Sequence, residues 1–421
     1  METAEAMEKP NALIGVLQRL QDNRRAGPRV GIGFTRSAPP MRYPCLIHVL
    51  PAASLPPCRQ SALPAHPADL SRNPAMPPPE PSAFSLPERA APALWPRLVA
   101  DIGGTNVRFA LIERAGAAPS ALRSLRCADF AGPHAALQAW LAKTGAALPA
   151  VGVFGIATPI SGDEVVMTNH PWRFSVEALR AALGLRCLRV VNDFTALALG
   201  LPGLGEDDCE RIGGGQAQAG AAMGLLGAGT GLGVSGLIPA PGGPVPLQGE
   251  GGHVSLTAST PREAEVVAWL AARHGHVSAE RALSGPGLLA LYAALCALDG
   301  VPAETLSAAA VSARGREGSC PRCREALSMF CALLGAVAGD LALTLGARGG
   351  IYIGGGIVPQ LGEFFAQSSF RSRFEAKGRY QPYLARIPTW VIRSPHVALT
   401  GASAALDLQF ELGYTACAPA R

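Results

Sequence analysis

Leu98-Val99-Ala100-Asp101-Ile102-Gly103-Gly104-Thr105-Asn106-Val107-Arg108-Phe109-Ala110-Leu111-Ile112 joins two apolar runs through a glycine-bearing turn. Gly103 and Gly104 permit φ > 0, so the joint fits a tight hairpin. The design recurs downstream. Gly224-Leu225-Leu226 leads into Gly227-Ala228-Gly229-Thr230-Gly231, and Leu232-Gly233-Val234-Ser235-Gly236-Leu237-Ile238 follows. Strand, glycine–threonine turn, strand, found twice about a domain apart, is a weak internal repeat. It predicts two similar α/β halves, each offering one turn. Further out, strands are expected at 151–156 and Leu188–Val191, the latter ending in Asn192-Asp193. Helices are expected at 176–183, 262–273, 286–298 and 324–345, and a buried strand over 349–357 ends in Gly354-Gly355-Gly356.

The 421 residues favour two domains. With 48% apolar and 16% charged residues, wholesale disorder is excluded. The formal net charge is +5, and residues 1–97 alone hold 11 basic and 7 acidic side chains, so the remainder is nearly neutral. It has no basic footprint for nucleic acid, and few aromatics for base stacking. The longest apolar stretches, near 217–238 and 331–353, are interrupted by glycines or by Asp340 and Arg348, so no membrane span is expected. Glu2, Glu5 and Glu8 argue against a secretory or transit leader. The ten cysteines are scattered, with one C-x-x-C pair at Cys320 and Cys323, which predicts reduced thiols and a cytoplasmic protein. Residues 1–97 hold 18 of the 37 prolines and are expected to be disordered or polyproline-like. They read as a tail without function, as residues upstream of the true start (Met76 being one candidate), or as a regulatory docking arm.

Phosphate groups need converging donors and close backbone approach, which glycine-rich turns supply. Thr105 and Thr230 each add a hydroxyl. Neither turn is followed by Gly-Lys-Ser/Thr, and neither fits the dinucleotide pattern at a helix start. Asp101, beside the first turn, is either a Mg²⁺ partner acting through water or a turn cap. Asn192-Asp193 stand at a strand end, where open α/β sheets bind ligands. Asp193 could take a proton from an attacking hydroxyl while Asn192 holds a neighbouring one, or the pair could cap a loop. Gly249-Glu250-Gly251-Gly252-His253 sets a carboxylate and an imidazole in a loop able to bond a polyol. His274, His276 and Glu280 allow a zinc cluster to be drawn, against the plainer reading of surface or core histidines.

These residues resemble the bacterial ATP-dependent glucokinase family, within the hexokinase–actin–heat-shock-protein ATPase superfamily. The matching pieces follow the family's order from about Leu98 to the C-terminus. They are Val99–Arg108, Pro159–Asp163, Met167–His170, Asn192–Ala196, Gly227–Gly233, Gly249–His253, Val277–Gly285 and Gly354–Pro359.

The resemblance implies an actin-like (ribonuclease H-like) α/β fold of two domains around an interdomain cleft. The small domain would hold 98–203, completed by about 394–421, and the large one 204–393. It implies ATP-dependent phosphorylation of glucose at the 6-hydroxyl, with Mg²⁺, in a homodimer. Asp193 would be the general base. Asn192, Asp193, Glu250, His253 and Glu280 would bind the sugar. Ala100, Asp101, Ile102, Gly103, Gly104 and Thr105 would meet the ATP phosphates, with Asp101 near Mg²⁺. Gly229, Thr230 and Gly231 would cradle the phosphates, and Gly354 and Gly355 would lie against adenosine. The related repressor/kinase group carries a Cys-x-Cys-Gly-x-x-Gly-Cys zinc motif. The chain lacks it, so His253 reads as a sugar contact. The alternatives are a kinase for another hexose and a sugar-sensing regulator without turnover. The latter is weakened by the absence of a helix-turn-helix pattern.

Overall fold

The computed structural model describes residues 94–408 and 412–418, and the expected disorder of the N-terminal extension falls almost wholly outside them. The first lobe contains β1 (Arg97–Ile102), β2 (Asn106–Ile112), β3 (Ser120–Arg126), β4 (Val151–Ile156), β5 (Glu164–Val166), β6 (Arg173–Ser175) and β7 (Cys187–Asn192). Its helices are α1 (Pro133–Thr144), α2 (Val176–Leu183) and α3 (Asp193–Gly200). The second lobe contains β8 (Cys209–Ile212), β9 (Met223–Ala228), β10 (Leu232–Ile238), β11 (Val245–Pro246), β12 (Ile351–Gly354) and β13 (Thr389–Ile392). With these run α4 (Pro261–His274), α5 (Gly285–Leu298), α6 (Ala308–Glu317) and α7 (Pro321–Leu345). The chain ends in α8 (Val397–Ala404) and β14 (Tyr414–Cys417).

The two sheets share one plan. The first runs β14-β7-β4-β1-β2-β3 and the second β11-β10-β9-β12-β13-β8. In each, an antiparallel hairpin built on a glycine–threonine turn is continued by parallel strands: β1 with β4 and β7, β9 with β12 and β13. An antiparallel edge strand closes each sheet, β14 on β7 and β8 on β13. The repeat inferred from the turns is therefore a repeat of topology, and the fold is actin-like.

Both sheets are covered by helices, as their parallel strands require. In the first lobe Phe109 packs on Trp140 of α1 and on Phe154 of β4. In the second, α7 is the central helix, and its Phe330, Leu333 and Leu334 are buried in the largest core cluster. By length and composition α7 could cross a membrane, contrary to the expectation from Asp340. However, 72% of its most apolar window is buried inside the lobe, so core packing accounts for its hydropathy. Asp340 turns outward and pairs with Lys377 at 2.6 Å.

Arg97, counted with the extension in the sequence reading, opens β1 instead. It is fully buried, pairs with Asp407 at 2.6 Å and donates to the Ser403 carbonyl at 2.7 Å. A buried guanidinium needs such partners, and these clip the end of α8 to the first strand. α8 also lies on α3, where a β-carbon on Gly401 would strike the Ala196 carbonyl. The expectation of reduced thiols is corrected at one place: Cys187 and Cys417 form a disulfide. They are directly opposed in the β7–β14 register, 4.2 Å apart between α-carbons, which antiparallel pairing alone brings about.

Candidate active site

Asp101 lies between Ala100 and Ile102, which are wholly buried in β1. They have no side-chain surface to offer a nucleotide, and instead set the opposite-facing Asp101, a quarter of whose side chain is exposed. Gly103 N–H donates to the Asn106 carbonyl at 2.9 Å and closes the turn, which puts Asp101 opposite Arg108 on β2. The guanidinium is 3.4 Å away. Burial pushes the Asp101 carboxyl above its ordinary range, and Arg108 pulls it back.

Asn192 ends β7 and caps α3. Its side-chain oxygen accepts the N–H groups of Phe194 (3.0 Å) and Thr195 (3.2 Å). Its amide donates to the Thr158 carbonyl at 3.2 Å and to Asp193 Oδ1 at 3.0 Å. Both amide hydrogens are thus engaged in holding the loop and aiming Asp193, so a sugar hydroxyl would have to displace one of these bonds. Asp193 Oδ1 also accepts the Phe194 N–H at 2.9 Å. Burial first, then the nearby Asp101 carboxylate, raise Asp193 to about 6 against these hydrogen bonds. A carboxylate tuned there is ionised at neutral pH yet more basic than a free one.

The second lobe offers the matching turn. Gly229 N–H donates to Gly231 at 2.8 Å, and the Gly229 carbonyl accepts the Gly285 N–H at 2.8 Å. The N-terminus of α5 therefore abuts the turn, and Thr230 stands exposed on it. Glu280 accepts the Leu232 N–H at 2.9 Å, immediately after Gly231. His253 Nε2 lies 3.8 Å from Glu280, and its Nδ1 lies 3.8 Å from Glu250. All three side chains are at least one-third exposed, a polar surface open to a ligand. Gly354 ends β12, and Gly355-Gly356 follow it. Gly355 has φ +81°, and a β-carbon there would lie 2.7 Å from the Ala228 nitrogen, so only glycine fits this close turn.

Phe194, next to the candidate base, joins the lobes. Its ring lies so close to Gly227 and Gly233 that an added β-carbon on Gly227 would be 2.6 Å from it. Between the lobes is a cavity of about 530 Å³ lined by Asp101, Arg108 and Asp193 on one side and by Gly354–Gly356 and Arg393 on the other. Glu250, His253, Glu280 and the Gly229–Gly231 turn do not line it. The structure thus forms two groups, which meet at the flanks of the second hairpin. In the first turn Gly104 lies against Asn169, and the Thr105 carbonyl accepts the Cys127 N–H at 2.9 Å. His276 is occupied with Ser255 at 3.0 Å.

Three contributors were not singled out from sequence. Arg108 follows from counting outward across the turn. Thr158, which holds Asn192 and meets Thr168 Oγ1 at 3.1 Å, and Phe194, which packs on distant glycines, left no local signal.

The Glucokinase family profile matches residues 98–409. The glucokinase of Aromatoleum aromaticum is 59% identical over 314 residues, spanning 74% of this chain and 95% of the relative. That of Chromobacterium violaceum is 53% identical over 315 residues, spanning 75% and 90%. A solved glucokinase from an Antarctic psychrotroph superposes with a TM-score of 0.68 at 38% identity, covering 74% of this chain and 98% of that one.

Proposed function

From the premise that this chain belongs to the glucokinase family and phosphorylates glucose with ATP, we propose that Asp193 is the base that accepts the proton of the sugar 6-hydroxyl. The observation that supports it is a carboxylate at about 6, aimed by Asn192 into the interlobe cavity beside Asp101. Phosphoryl transfer has a loose transition state, so the protein's work is positioning and charge compensation. Glu250, His253 and Glu280 would bond the sugar hydroxyls from the second lobe, and Asn192 and Asp193 from the first. Gly103–Thr105 and Gly229–Gly231 would bracket the phosphates, and Gly354–Gly355 would lie along the adenosine. Because the sugar ligands are divided between lobes, bound glucose favours a closed cleft, which excludes water and limits wasteful ATP hydrolysis.

Mg²⁺ fits the same place. Two carboxylates raised by burial, Asp193 further by Asp101, face one cavity, and hard oxygen donors suit that ion. Asp101 would hold it through water, and the ion would offset phosphate charge. We extend the reading to a homodimer, as the family resemblance implies, in the cytoplasm, which the scattered cysteines support, with neither nucleic acid nor membrane as partner, which the near-neutral charge of residues 98–421 and the interrupted apolar stretches support.

The test is ADP release by the purified chain across a panel of hexoses, with a promoter-binding assay alongside. Release that depends on glucose supports the reading. Faster release with another hexose, or DNA binding without turnover, would overturn it in favour of the corresponding alternative.

A further inference from the structure

Cys320-Pro321-Arg322-Cys323 opens α7, and the reaction above leaves it unused. Cys320 is the N-cap residue, and its sulfur accepts the Cys323 N–H at 3.4 Å. Cys323 is fully buried. Of the two, only Cys320 is partly open to solvent. Positions three apart on a helix bring β-carbons to about 5–6 Å. A disulfide spans about 3.5–4.5 Å between them, so closure takes a backbone tightening at the first turn, and side-chain rotation then brings the sulfurs together. Around the pair the scaffold is tight: on α6, a β-carbon on Gly315 would lie 2.8 Å from the Cys323 carbonyl. The charged and titratable groups facing it are Arg314 of α6, paired with Glu304 at 2.8 Å, and Tyr292 and Cys296 of α5.

We propose that Cys320 and Cys323 are a thiol–disulfide exchange site that takes low-molecular-weight disulfides, with Cys320 attacking and Cys323 resolving. The Cys320 thiolate attacks one sulfur of the disulfide, whose S–S bond breaks, and one thiolate leaves and takes up a proton. Cys323 then gives up its proton and attacks the Cys320 sulfur. The mixed disulfide breaks, and the second thiolate leaves. The protein dithiol is oxidised to one intramolecular disulfide, and the incoming disulfide is reduced to two thiols. The local electrostatics agree. Burial pulls the Cys320 thiol up, but the Cys323 N–H, the Cys323 thiol and the Arg322 N–H outweigh it and hold it below the ordinary thiol value. Burial, then Cys320, push Cys323 up to about 12.

Two measurements on the full chain test this. In native alkylation with iodoacetamide, read by peptide mass, Cys320 is expected to react about tenfold or more faster than Cys209, the other partly exposed free thiol among the described residues. With 2-hydroxyethyl disulfide, the wild type is expected to form the Cys320–Cys323 link, and Cys323→Ser to stall as a mixed disulfide on Cys320. Cys320→Ser, whose hydroxyl keeps the helix cap, should give neither product. Alkylation of Cys320 no faster than of Cys209 would overturn the proposal, as would a folded Cys323→Ser without the mixed disulfide. Should Cys323→Ser fail to fold, the alkylation rates of the unaltered chain decide.

Discussion

The two lobes share a sheet plan but arm it differently. In the first, the strand ends carry carboxylates: Asp101 on β1 and Asp193 after β7. In the second, the ends of β9, the counterpart of β1, and of β12, the counterpart of β4, carry Gly229-Thr230-Gly231 and Gly354-Gly355-Gly356. One lobe thus presents buried negative charge and the other bare backbone. Side chains that titrate can move a proton, and backbone that has no side chain in the way can lie against phosphate and adenosine. The shared plan supplies the frame, and on the proposed reading a few strand-end residues divide catalysis from nucleotide grip.

That division can be broken most strongly at Asp193. Asp193→Ala is expected to lower kcat by about 10²–10⁴-fold while glucose binding, measured by calorimetry, persists. On the other lobe, Gly355→Ala would force a left-handed residue against Ala228. A cost of about 1–3 kcal/mol should appear as a lower melting temperature, together with a higher KM for ATP and little change in KM for glucose. Glu280→Gln removes the charge from the bond to Leu232 N–H and from the face toward His253. Its KM for glucose should rise about tenfold, with ATP affinity unmoved.

The smallest effect concerns stability. Asp193 sits at about 6 rather than its ordinary 3.8. Its ionised form is therefore disfavoured in the fold: the penalty is absent at pH 3.8 and below, grows up to about pH 6, and is complete above that. Asp193→Asn should accordingly be more stable than the wild type at pH 8, by roughly 1 kcal/mol after solvent screening, and no more stable at pH 4. Urea unfolding at the two pH values reads this directly.

The hairpins and the strand-end acids were legible because their signals are local: glycines within a turn, apolar alternation on both sides, an acid where the run stops. Even the Asp101–Arg108 pairing can be counted from the turn outward. What escaped depends on separated segments. Phe194 rests on Gly227 and Gly233, whose part is to leave room, and leaving room has no residue type of its own beyond glycine. Cys187 meets Cys417 only because β14 returns to the edge of the first sheet. Asn192 looked evenly divided between cap and ligand, and the structure shows the cap, with the amide of the same side chain holding Asp193. The apolar character of α7 was interrupted in sequence by Asp340, yet a helix places that residue on its outer edge and buries the rest.

Asp193, in the lobe of buried carboxylates, is proposed to act as the base on a sugar held by groups of both lobes. The pH profile of kcat/KM for glucose, at saturating Mg·ATP, tests this most directly in the wild type and in Asp193→Ala. The account predicts a wild-type rate that falls on the acid side with a midpoint near the value of about 6 set by the site, and a residual Asp193→Ala rate without that limb. The same acid limb in both proteins would contradict it.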